Sequence, residues 1–96
     1  MKTFLVHINF TLTEDFMQQV PEHRKYINML INTNVIESYA VSMESQRSWI
    51  IMNAQSKEAV TQIIAKSPLY RFWTVEIDEL FVYDSQNFRL PRVELN

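Results

Sequence analysis

The chain has 96 residues, 47% of them hydrophobic and 21% charged, which describes one globular domain rather than two domains or a disordered segment. Its formal net charge of −2 has the wrong sign for neutralising phosphates, so nucleic acid is not an expected partner. With neither cysteine nor glycine, it excludes a disulfide framework, a thiolate metal site, a thiol nucleophile and every glycine-rich phosphate loop.

A chain of this length with average usage would hold about 7 glycines. Turns that need positive φ must therefore fall on other residues, and Asn32, Asn34 and Asn53 are the candidates. The N-terminal run MKTFLVHINFTLTEDF carries one lysine and a short apolar stretch broken by His7 and Asn9, which does not read as a secretory signal. No segment approaches the length of a membrane span. The expected location is the cytoplasm, with no membrane partner.

KTFLVHINF (Lys2 to Phe10) alternates in hydrophobicity and predicts a strand, with Phe4, Val6, Ile8 and Phe10 on one face and Leu5, His7 and Asn9 on the other. Thr13 is an N-cap, and Glu14 and Asp15 complement the helix dipole behind it. Phe16, Val20, His23, Ile27 and Leu30 follow at spacings of four, three, four and three, one helical stripe. Pro21 stands inside that stripe. It removes one backbone donor and predicts a short first helix, a kink or a restart. The helix ends near INTN, where Asn32 or Asn34 can take a left-handed cap.

VIESYAVSM (Val35 to Met43) predicts the second strand, ESQR a turn and SWIIMNA (Ser48 to Ala54) the third strand. Ser56 caps a second helix with the apolar stripe Ala59, Val60, Ile63 and Ile64. Lys66 in its last turn and Pro68 beyond it are stop signals. WTVEIDELFVYD (Trp73 to Asp84) predicts the fourth strand. The domain spans 1–84, and 85–96 read as a C-terminal tail in which Phe88, Leu90, Val93 and Leu95 can pack.

The order is β-α-β-β-α-β, the ferredoxin-like arrangement of the α+β class, with two helices on one face of a four-stranded antiparallel sheet. Trp49 and Ile51 fall on one side of the third strand, Ile50 and Met52 on the other, so both sheet faces are apolar. A bare apolar face marks an interface or a ligand site. The simplest closure is a second copy packed sheet to sheet, a dimeric α+β barrel with a cavity between the sheets.

The stretch SPLYRFWTVEIDEL (Ser67 to Leu80) resembles the C-terminal signature of the muconolactone delta-isomerases. The matching residues are Ser56 at the helix start, Pro68, Leu69 and Tyr70, then Val75, Glu76, Ile77 and Leu80. RKYINML resembles that family's first helix. The chain departs from the pattern at NVIESYA, where the family opens its second strand with Trp-Pro-His, and at Glu79, where the family has proline. PEHRKY (Pro21 to Tyr26) resembles the helix motif of the more distant YCII-related proteins. The resemblance implies a homodimer that often assembles further, a small organic acid or lactone as substrate and proton transfer without a cofactor. A non-catalytic dimer of the same fold that binds a small ligand or serves assembly is the alternative. Haem bound through a helix histidine, here His23, is implied by fold analogy alone.

Three residues are candidates for acid–base work. His23, on the apolar stripe, is either a general acid or base or a boundary histidine bonded to the backbone. His7, with Asn9, faces either the inter-sheet space or a dimer contact. Glu76 shares a strand face with Asp78 and is either a proton shuttle in a cavity or a solubilising edge charge. Asn9, Tyr39 and Trp49 are the candidate substrate contacts, and Arg47 or Arg71 can pair with a carboxylate. The two histidines match no metal-ligand spacing, so no metal and no cofactor are expected. An RNA-recognition domain shares the element order, but RSWIIMNA lacks the glycine and second aromatic its third strand needs.

Overall fold

The structure is a computed structural model that describes residues 1–85. The elements run β1 (Lys2–Phe10), α1 (Glu14–Asn32), β2 (Ile36–Ser42), β3 (Arg47–Ala54), α2 (Lys57–Ile64), a 3₁₀ turn (Tyr70–Phe72) and β4 (Trp73–Glu79). The sheet order is β2-β3-β1-β4. Each pairing is antiparallel. This is the ferredoxin-like β-α-β-β-α-β arrangement read from the sequence. Both helices contribute to one core on one face: Phe16, Ile27 and Leu30 from α1 and Val60 and Ile64 from α2 pack with Phe4, Val6, Ile8, Ile50 and Met52 of the sheet.

Local signals fix the helix ends. The Thr13 hydroxyl accepts the Phe16 N–H, and the Ser56 hydroxyl accepts the Ala59 N–H. At the end of α1, Asn34 takes φ 65°. The Val35 and Asn34 amides then bond back to the Leu30 and Ile31 carbonyls, the paired bonds of a Schellman cap. Asn32 and Asn53 do not take positive φ. Gln46 does, at 55°, in the β2–β3 turn. Its carbonyl accepts the Phe10 N–H and its side chain the Leu12 N–H, and these bonds hold the strained position.

Pro21 does not end the helix. α1 runs unbroken through it for 19 residues. Pro21 deprives the Met17 carbonyl of its amide partner at a cost of about 3 kcal/mol in a helix interior. Buried residues on both sides, Phe16 before it and His23, Ile27 and Leu30 after it, hold the two halves on one sheet. The fourth strand is shorter than the sequence predicts. It stops at Glu79, opposite Phe4. Leu80 still donates its N–H to the Thr3 carbonyl, and only Lys2 of β1 lies beyond that point. Phe81 is fully exposed rather than continuing the face of Val75 and Ile77. Of the predicted tail, residues 86 onward, including Phe88, Leu90, Val93 and Leu95, lie outside the described residues.

An irregularity between Ile36 and Ser38 shifts the β2–β3 register. It leaves Glu37 as the extra residue, so Ile36 and Tyr39 both face the helices although they are three apart. β2 and β4 are the two edges, and β4 carries Glu76, Asp78 and Glu79, charges that disfavour edge-to-edge pairing.

Ile50 is wholly buried at the centre of β3. Ile50→Ala is expected to lower unfolding free energy by about 2–5 kcal/mol, read as a lower urea midpoint with an unchanged slope.

Candidate functional site

The six candidate residues do not form one site. His7, Asn9, Trp49 and Glu76 lie on the open face of the sheet, while His23 and Tyr39 lie between the sheet and α1. Strand parity separates them: Tyr39 pairs with buried Ile50, and Trp49 pairs with His7.

On the open face, His7 is the centre of a cross-strand row, with Trp49 on one side and Glu76 on the other. The His7 ring stacks on Trp49 at 5.8 Å and 9°. Its Nδ1 is 3.7 Å from a Glu76 oxygen, and the Glu76 side chain is 75% exposed. His7 Nε2 is buried with no hydrogen-bond partner among the described residues. Asn9 pairs with Arg47 and Thr74. These groups form a shallow row of polar and aromatic side chains, and Glu76 keeps its hydration.

The helix side differs. A cavity of about 190 Å³ lies between α1 and β2, walled by Phe10, Phe16, Val20, Val41 and Leu69. Met17 and Met43, half exposed, and exposed Arg24 stand at its rim. His23 and Tyr39 are its polar inner groups. His23 is 2% exposed, and both its nitrogens are bonded. Nδ1 lies 2.7 Å from the Ser67 hydroxyl and Nε2 2.8 Å from the Tyr39 hydroxyl. Trp73 meets the His23 ring edge to face at 5.6 Å. With both nitrogens held, the ring has none to offer an iron, so the haem reading does not fit. Among the described residues no group of three potential ligands gathers around a metal position.

Burial first, and the Arg24 charge second, lower the His23 pKa to about 4. Burial raises the Tyr39 pKa, opposed first by the Arg24 charge and then by the neighbouring polar groups of Ser48 and Arg24. The Arg24 guanidinium sits 5.6 Å over the Tyr39 ring. At neutral pH the inner pair is therefore an uncharged imidazole bonded to an uncharged phenol, with a positive charge at the entrance. A neutral imidazole can accept a proton, and a phenol can give one. His23 and Tyr39 were legible in the sequence as single residues. Ser67 and Arg24 were not, because only the fold brings the α2 turn and the helix rim to them.

The His23 shift makes stability depend on pH. The unfolded imidazole titrates near 6.5 and the folded one near 4, so between those values the unfolded chain binds more protons. Stability from this group is complete above about pH 6.5 and falls as pH drops toward 4, by on the order of 3 kcal/mol. Urea unfolding at several pH values should show this loss in the wild type, and a folded His23→Asn variant should lack that component.

No family model matches the sequence, and no curated protein matches it. A solved structure does match: the crystal structure of muconolactone isomerase superimposes with a TM-score of 0.71 over 86% of this chain and 92% of that one, at 17% sequence identity. The likeness spans nearly the whole of both chains, and at that identity it shows a shared fold. This chain has the fold of muconolactone isomerase.

Proposed function

We propose that the chain binds a small organic acid or lactone in the α1–β2 cavity and moves a proton there, without a cofactor, through His23 and Tyr39. The observation that carries this reading is the pairing of a neutral, fully bonded His23–Tyr39 couple with an apolar cavity whose rim holds the Arg24 charge. Ligand sites combine apolar walls with a few convergent polar groups. The solved structure of the same fold is an isomerase of muconolactone, which favours a small oxygenated substrate. Binding without turnover is the alternative on the same cavity. His7 and Glu76 fall outside this site, and their proposed place is an interface.

Benzoate, an apolar ring with one carboxylate, is a suitable probe. On titration, NMR shifts are expected at the methyl groups of Val20, Val41 and Leu69, and Arg24→Gln is expected to weaken binding about tenfold or more, as removal of a charged hydrogen bond does. Shifts confined to Leu5 and Ile51, or none at millimolar benzoate, would sink the cavity reading.

The open face supports a homodimer in solution. Leu5, Trp49 and Ile51 lie at its centre, and among them lies the buried His7 nitrogen, which has no partner among the described residues. A second copy packed sheet to sheet would cover this apolar strip. Sedimentation should give twice the chain mass for the wild type and the chain mass for Trp49→Glu with Ile51→Lys, both folded. A wild-type monomer at high micromolar concentration would rule the dimer out.

A further inference from the structure

Ser67 fixes the direction of the buried hydrogen bonds. This residue follows α2 and is 5% exposed. Its hydroxyl oxygen accepts the Leu69 N–H at 3.0 Å and lies 2.7 Å from His23 Nδ1. A serine hydroxyl has one proton to give and two lone pairs to accept with. Among the described residues, His23 Nδ1 is the acceptor within reach of that proton. Ser67 therefore donates to Nδ1, and a neutral ring that accepts at Nδ1 carries its proton at Nε2.

The Nε2–H then donates to the Tyr39 oxygen, 2.8 Å away. Arg24, which can only donate, stands over the Tyr39 ring at 5.6 Å from its centroid and offers the phenol no acceptor. The Ser48 hydroxyl donates to the Ala40 carbonyl, and among the described residues the Tyr39 hydroxyl is hydrogen-bonded to His23 alone. With its oxygen occupied as an acceptor, Tyr39 keeps its own proton for a group in the cavity that it lines.

We propose that Ser67 sets a one-way relay, Ser67 to His23 to Tyr39, which makes the Tyr39 hydroxyl the donor to an anionic or carbonyl oxygen of a small apolar compound. Ser67 is a positioning residue, acting through the tautomer of His23. The opposite tautomer would turn the Tyr39 proton toward His23 and leave the cavity without that donor. The ligand half of this inference rests on the reading of the cavity given above. The relay itself does not.

NMR of the imidazole nitrogens tests the relay directly, since the chain has only two histidines and a His7→Asn variant assigns the signals. The wild type is expected to show His23 protonated at Nε2 near neutral pH. Ser67→Ala should shift the ring toward the Nδ1–H form, and Ser67→Thr, which restores a hydroxyl, should return it. Tyr39→Phe and Ser67→Ala should each weaken benzoate about tenfold, the loss of a hydrogen bond to a charged group, with Ser67→Thr close to wild type. A wild-type ring protonated at Nδ1 would overturn the relay even if Ser67→Ala failed to fold. So would an unchanged tautomer in folded Ser67→Ala, or wild-type benzoate affinity in Tyr39→Phe. An Nε2–H ring in a protein that does not bind benzoate would instead retain the relay and overturn the cavity as its ligand site.

Discussion

A histidine buried between a helix and a sheet must have both ring nitrogens bonded, and much of this structure follows from how that requirement is met. The stripe of α1 puts His23 on the sheet side, between Phe16 and Ile27. An unbonded polar group there would cost about 1–3 kcal/mol. Its partners come from two other places in the chain. Tyr39 comes from β2, and its side chain faces α1 because the irregularity at Glu37 resets the parity of that strand. Ser67 comes from the turn after α2, where it also accepts the Leu69 amide and so helps to hold the Pro68–Leu69 corner. One imidazole thus ties α1, β2 and the α2 turn together.

The packing of α1 on the sheet explains why the helix tolerates Pro21. A proline at the eighth position of a helix takes away one hydrogen bond, but the core contacts before and after it are worth more. Phe16 stacks on Phe10 at 4.8 Å, and burying a side chain of that size contributes about 1.5–3 kcal/mol. Ile27 and Leu30 add to this beyond the proline. The sequence pattern alone carried both facts, the stripe and the breaker, without saying which would prevail. Packing decides, and packing is a property of the whole sheet.

The element order, both N-caps, a left-handed cap at Asn32 or Asn34 and the division of β1 into two faces could be read from the sequence, because each depends on residues within a few positions of one another. The features that could not be read depend on separation. His23 meets Ser67 across 44 residues and Tyr39 across 16. Tyr39 and Trp49 looked like parts of one site as two aromatic residues on neighbouring strands, yet their pairing partners, Ile50 and His7, put them on opposite faces. Gln46 at positive φ was missed for a different reason. Asparagine is the usual substitute for glycine, and Gln46 is held there by the two bonds it makes to the end of β1 rather than by its own preference.

The two faces also differ in what they do with charge. On the open face His7 and Glu76 are ionisable neighbours beside solvent, and a pair of that kind contributes little on its own. Among the described residues that line the helix-side cavity, Arg24 at the rim carries the only formal charge, while His23 and Tyr39 are kept neutral by burial. Bringing an anion to such a cavity would not require burying a charged pair, whose desolvation can exceed its attraction. The guanidinium can stay hydrated at the entrance and the inner groups can supply oriented dipoles. Oriented dipoles in a dry site need little rearrangement when charge develops beside them. That division of labour, charge at the edge and hydrogen bonds inside, favours the cavity over the open sheet as the place for the proposed chemistry, and is consistent with the open sheet as the face of the proposed dimer.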